Sequence, residues 1–345
     1  LKFNKDVISH SLFSLSHVKK SARFMIEDKI NNFLNAPKDS LSFGNINELN
    51  LNENIKIFWG EEKIGQLIKG SSISSPIAEA LNTEYLSSDK KLLISAKLQN
   101  WVDDLIKIKL WPLRDSTDDN LSPNIRAIKF NLFENLGMLS IDKFRNFLKE
   151  ISAEDKNALS KLGIRIGAKY FFVPNFLKKA SMEILAILWI VFNNFKFDGT
   201  LPLPKDGRVS FLSDNEMKKG YWLAIGYLKL KNFVLRVDVF ERIFFIARQK
   251  FKSGPFLDSA DLMNPVGCNR DELREILHYC GFSSIKFSSE RTIFFYEPKK
   301  NFSKPQKNKT KKLNFKIKPK SKKTFNDNKK SVDPDSPFAV LEKLL

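Results

Sequence analysis

NPVGCNRDELREILHYCGFSSIKFSSERTIFFYEP, residues Asn264–Pro298, is the stretch that decides the fold at the carboxyl side of this chain. NPVGCN holds Pro and Gly in the pattern of a turn. RDELREILHYC then repeats apolar residues at three- and four-residue spacing, which predicts a helix over Arg270–Cys280. Gly281 suits the left-handed position that closes such a helix, because glycine has no Cβ to penalise a positive φ. The period then changes: SIKF and TIFFYE are β-branched and aromatic runs separated by four residues, which predicts a hairpin. A short helix is expected from Leu257. Two helices joined by a turn and followed by a hairpin outline a winged-helix-like module, bounded here at residues 253–298.

Toward the amino end, Ser253, Gly254 and Pro255 break a helix expected over Asp238–Lys252. Lys219–Val237 mixes aromatic and branched residues around Gly226 and reads as two short strands. A Gly- and Pro-bearing loop, Asp198–Arg208, precedes RVSFL. Ala180–Phe195 is strongly apolar and reads as a buried helix. Its longest apolar run, Ile184–Phe192, is about half of the roughly 20 residues a membrane span needs. Gly163 and Gly167 punctuate a β-like run, Ala168–Val173, that Pro174 stops. Helices are expected over Ser122–Leu139, Ile141–Ile151 and Ala153–Leu162, the last with Ser152 as N-cap and Asp155 three residues on. A longer one is expected over Ser88–Leu113, with Ser88 or Asp89 as its cap. Ile55–Trp59 and Lys63–Lys69 flank Gly60, Glu61 and Glu62 and read as a β-hairpin. Ser9–Leu34 has the spacing of an amphipathic helix.

The 345 residues carry 58 Lys plus Arg against 39 Asp plus Glu, a net charge of +19, with 42% apolar residues and 31 Phe. The apolar content suffices for real cores, and the charge points to a polyanionic partner. That charge is concentrated. Lys299–Lys330 holds 14 Lys and one acid, Asp327, and so contributes +13; Ser331–Leu345 contributes −2, leaving +8 for Leu1–Pro298. A segment this rich in Lys, with isolated Phe302, Leu313, Phe315 and Phe325, buries too little to offset its ordering entropy and reads as a disordered basic tail. Pro337–Leu345 reads as a short helix.

Catalytic signatures are absent from the sequence. No G-x-x-x-x-G-K-[ST] phosphate loop occurs, and the glycines of Gly60–Gly70 are wrongly spaced for one. No G-x-S-x-G elbow occurs either. Cys268, His278 and Cys280 have a C-x9-H-x-C spacing with no fourth ligand, so the two cysteines read as small buried apolar residues rather than zinc ligands. Two cysteines and no signal peptide fit a reducing, cytoplasmic setting. His10 and His17 have no companion ligands. Asp103/Asp104 and Asp118/Asp119, adjacent in sequence, diverge on a helix. Asp238 and Glu241 stand near a helix start, where carboxylates favour the dipole, and are expected to interlock with Arg236 or Arg242.

Three islands, LGIRIGAKYFFVP from Leu162, GYLKLKNFVLRVDVFER from Gly226 and VGCNRDELREILHYCGF from Val266, share an order and spacing that resemble the carboxyl-terminal region of alphaproteobacterial superfamily 2 (DExH-type) helicases related to the RNA helicase of the mitochondrial degradosome. The likeness extends through GEEKIGQLIKG (Gly60–Gly70) and WPLRD (Trp111–Asp115) to DSPFAVLEKL near the end. It implies a parent whose motor binds ATP and magnesium, with no cofactor and no catalytic residue in this chain. Leu1 in place of Met, with a likeness that begins partway through the family pattern, leads us to expect a fragment of a longer helicase.

The expected fold is mostly α with small β elements: an amino-terminal helix and linker (1–53), a helical accessory platform (54–252), the winged-helix-like module (253–298), the disordered basic tail (299–336) and a short helix (337–345). RNA, or alternatively DNA, is the expected partner, with no membrane. The expected phosphate contacts are Lys299, Lys300, Lys304, Lys307, Lys309, Lys311, Lys312, Lys316, Lys318, Lys320, Lys322 and Lys323, with Phe315 stacking on bases. Arg270 and Arg274, with Lys286 and Arg291, are the candidates on the module. Asp271, Glu272, Glu275 and Glu290 lie beside them, so a protein-packing role for that surface stays open. The alternative function is recruitment of a nuclease or ribosomal partner through Pro337–Leu345; a third is an independent nucleic-acid-packaging protein.

Overall fold

The computed structural model describes residues 20–44, 53–81, 86–111, 113, 121–144, 148, 151–196, 201–205, 207–212, 217–231, 233–287 and 291–296. The chain divides into two units, Leu1–Glu297 and Pro298–Leu345, and every described residue belongs to the first. The expected basic tail and terminal helix therefore lie outside the described residues, as do His10, His17, Asp118 and Asp119. The architecture is an α+β mix of helices and small antiparallel sheets.

The amino-terminal part centres on a meander in spatial order β1 (Leu41–Ser42), β2 (Lys56–Trp59), β3 (Glu62–Ser72) and β4 (Ser75–Ala80). The expected hairpin at Gly60 is its centre; Gly60 turns at φ 60°. Helix α1 (Lys20–Asn35) ends where the Lys97 ammonium donates to the carbonyls of Phe33, Leu34 and Ala36, so a side chain from elsewhere satisfies its orphan acceptors. Helix α2 (Ser88–Lys109) lays Ile94, Leu98, Trp101, Val102 and Ile106 against the sheet. Gly65 makes that approach possible, because a Cβ there would stand 2.4 Å from Leu98 Cδ1. The same helix covers the free edge of β4: Gln99 Oε1 accepts the Ala78 N–H at 2.8 Å and Ser95 Oγ the Ala80 N–H at 3.0 Å. The cap of α2 is Ser87, one residue before the expected Ser88 or Asp89; its hydroxyl accepts the Lys90 N–H.

Helix α3 (Pro123–Glu134) stops short of the expected Leu139. Leu136 and Gly137 both take positive φ, and the chain turns into β5 (Met138–Ser140). Where a helix was expected over Ile141–Ile151, Ile141–Phe144 forms a 3-10 turn, and residues 145–147 and 149–150 lie outside the described residues. Helix α4 (Ala153–Lys161) begins with the predicted Ser152–Asp155 capping box, a device that contributes about 1 kcal/mol. Strand β7 (Tyr170–Phe172), within the predicted β-run, lies between β5 and β6 (Arg165–Ile166).

Helix α5 (Lys179–Asn193) is apolar because it is enclosed: Met182 and the run Ile184–Val191 are buried. Among the described residues no helix is long and apolar enough to cross a membrane. The stretch read as two strands from Lys219 begins instead as a short helix, α6 (Lys219–Ala224), because Tyr221 and Trp222 pack into the core beside Trp189. Tyr221 and Trp222 are fully buried, each contributing roughly 1.5–3 kcal/mol of hydrophobic stabilisation. Strands β9 (Tyr227–Lys229) and β10 (Phe233–Arg236) follow and form a sheet with β8 (Ser210–Leu212), in order β8-β10-β9.

The last described elements are α7 (Val237–Phe251), β11 (Phe256–Leu257), α8 (Ala260–Met263), α9 (Arg270–Cys280), β12 (Phe282–Lys286) and β13 (Thr292–Tyr296). The three strands lie in order β11-β13-β12. Helix, strand, helix-turn-helix and hairpin, with the first strand against the last, is winged-helix-like connectivity. Helix α9 starts with an Asn269–Glu272 capping box and ends on Gly281 at φ 96°. A second apolar core joins Phe240, Ile243, Phe244 and Ala247 of α7 to Leu262, Leu273, Ile276, Leu277, Phe282 and Phe294, so it runs across residue 253.

Candidate nucleic-acid interface

Residues from the three islands meet at the first turns of α7. Arg236 grips Asp238 through two hydrogen bonds, Nε to Oδ1 at 2.7 Å and Nη2 to Oδ2 at 3.0 Å. The expected interlock with Arg236 is thus made by Asp238, while Glu241, 7% exposed, takes backbone partners instead. Its Oε2 accepts the Ala168 N–H at 2.6 Å, and its Oε1 accepts those of Lys169 and Tyr170 at 2.9 and 2.8 Å. Burial raises the Glu241 pKa, and the three amides and the Lys169 ammonium oppose that rise. From α9, the Tyr279 carbonyl accepts the Lys169 ammonium at 2.8 Å, and the Tyr279 hydroxyl lies 2.5 Å from that of Tyr170. Burial and this hydroxyl contact raise the Tyr170 pKa. Donors and acceptors pair with one another here, so the cluster holds α7 and α9 to the β6–β7 turn.

The two arginines expected to meet nucleic acid share α9, and both are in ion pairs. Arg270, half-exposed, places Nε 2.8 Å from Oδ2 of the buried Asp258. Arg274 pairs with Asp271, while its Nε is buried without a hydrogen-bond partner among the described residues. Glu275 lies 3.8 Å from Lys231. With Asp271, Glu272 and Glu275 against Arg270 and Arg274, the helix carries a net charge of −1. On the hairpin, Lys286 and Arg291 are exposed, as are Ile285 and Phe287 at 60% and 69%. The predicted lysines from Lys299 to Lys323, with Phe315, lie outside the described residues.

A surface not picked out from the sequence lies on the outer side of α7, where Arg242, Phe245, Arg248, Gln249 and Lys252 are exposed. The signal was present in the three-residue spacing of Arg242, Phe245 and Arg248. It was masked by Asp238 and Glu241, which make the sequence look neutral until Arg236 and the β6–β7 amides are seen to engage them.

Among the described residues no group of three or more His, Cys, Asp or Glu side chains could hold a metal ion. Cys280 belongs to the second core and Cys268 packs against it. Burial pushes the Cys268 thiol up to about 11 and raises that of Cys280 further. His278 Nε2 is 2.8 Å from Ser284 Oγ, and burial lowers the His278 pKa. No protein-family model, no curated protein and no solved structure matches this chain.

Proposed function

We propose that this chain is an accessory, nucleic-acid-gripping region of an ATP-dependent RNA helicase, holding RNA for a motor that the chain itself does not contain. The observation that carries this reading is the density of cations in Lys299–Lys330, 14 Lys against one acid. Such a segment neutralises phosphates without reading bases, and so gives sequence-tolerant, salt-sensitive affinity. The winged-helix-like connectivity of α7 to β13 and the exposed Lys286, Arg291 and Phe287 on its hairpin support a nucleic-acid role for the body as well. The likeness of the three islands to degradosome-type helicases supports RNA over DNA. Anisotropy titration of single-stranded RNA tests it, comparing the full chain with one ending at Glu297. Tighter binding by the full chain supports the tail's role; equal, weak affinity defeats it.

One observation favours a second reading, recruitment of a protein partner. Helix α9, the element a winged helix commonly offers to nucleic acid, carries net negative charge, and both of its arginines are held in ion pairs. A nuclease or ribosomal protein retained by the full chain and lost on deleting Pro337–Leu345, with RNA affinity intact, favours that reading.

A further inference from the structure

We infer that the outer face of α7 is a binding face for single-stranded nucleic acid, with one base stacked on Phe245 and phosphates held by Arg242, Arg248 and Lys252. This deepens the nucleic-acid reading above and rests on it. At 100° per residue, Val239, Phe240, Ile243, Phe244 and Ala247 fall on the buried side of the helix, and Arg242, Phe245, Arg248, Gln249 and Lys252 on the other. From Arg242 to Lys252 the face is about 15 Å long at 1.5 Å per residue.

Its charge is one-sided for identifiable reasons. The two acids of α7 are both engaged: Asp238 lies in the fork of Arg236, and Glu241 is buried against three backbone amides. Lys250, on the flank, pairs with Asp261 at 3.0 Å. Arg242, Arg248 and Lys252 make no ion pair among the described residues, and Arg248 lies 5.8 Å over the ring of the inner Phe244, which orients its guanidinium. Among the described residues, three cations without an ion pair thus flank an aromatic ring that is 60% exposed.

That combination separates the partner classes. A duplex would use the cations and leave the ring idle, because its bases are already stacked. An unpaired strand uses both, since every base has a face to stack and every nucleotide a phosphate. A membrane surface is disfavoured, because the broad apolar side of this helix is committed to the protein core and a single Phe remains to insert.

The test uses the full chain, a fluorescent single-stranded RNA, the same sequence as a duplex, and anionic lipid vesicles. Phe245→Ala is expected to weaken single-strand binding about tenfold, with duplex binding unchanged and Phe245→Tyr near the parent. Replacing Arg242, Arg248 and Lys252 together by Gln is expected to lower the salt slope of single-strand binding by about 2. All four positions are exposed, and unchanged melting of each variant by circular dichroism secures the comparison. If the parent chain binds RNA and these variants match it in affinity and slope, the assignment to this face is overturned while the tail's role stands. Vesicle binding that depends on Phe245, or equal loss on duplex and single strand, also overturns it. A parent chain that binds no RNA overturns both readings.

Discussion

Gly167 leaves the space that the carboxylate of Glu241 occupies: a Cβ at Gly167 would stand 2.4 Å from Glu241 Cδ. The two residues are distant in sequence, yet this contact joins the β6–β7 turn to α7. Gly167→Ala is expected to cost about 2 kcal/mol through the forced displacement. Glu241→Ala is expected to cost about 2–4 kcal/mol, because three amides lose their acceptor in a buried site. Urea unfolding measures both, and Glu241→Gln, which keeps an acceptor oxygen, should lose less than Glu241→Ala.

The same carboxylate gives a pH dependence of defined sign. Its folded pKa lies above the ordinary 4.5, chiefly through burial, so the folded state holds the proton more tightly than the unfolded state. The stability this contributes is complete below pH 4.5 and is lost as pH rises through the folded pKa. Subtracting the stability of Glu241→Gln from that of the parent chain isolates the effect. The difference should fall with rising pH above 4.5 and then level off.

Local signals are legible in the sequence where neighbouring residues supply both partners. The capping box at Ser152–Asp155, the hairpin turn at Gly60 and the left-handed cap at Gly281 each involve neighbours within a few residues. Features decided at a distance were not legible. Strand β4 reads SPIAEA, in which Ile77 is the one branched residue that marks a strand, and is held by β3 and by Gln99 and Ser95 of α2. The end of α3 was overrun because Leu136 continues the helical period while adopting φ 53°. The outer face of α7 is hidden for the same reason, since the backbone amides that remove Glu241 from it lie on the β6–β7 turn, whereas Arg236, the partner of Asp238, is only two residues away.

The Arg270–Asp258 pair predicts a coupling. Asp258 is buried, accepts the Thr292 N–H at 3.1 Å and would be left without its cation in Arg270→Ala, at a cost of about 1–2 kcal/mol. In a double-mutant cycle with Asp258→Asn, the second change should recover part of that loss. Strict additivity of the two losses would count against the pair.

Thiol chemistry should divide the two cysteines. Both are free, with pKa values raised by burial, so the thiolate is scarce at pH 8 for each. Iodoacetamide followed by mass spectrometry should modify half-buried Cys268 slowly, and buried Cys280 only once urea opens the second core.

The central claim, that lysine cations give this chain its hold on RNA, is tested most directly by the salt dependence of single-stranded RNA binding. Each lysine–phosphate contact contributes about 0.7 to the slope of log affinity against log salt concentration. The account predicts a steep slope for the full chain that drops by several units when the chain ends at Glu297. An identical shallow slope for both, or no binding even in dilute buffer, would contradict it.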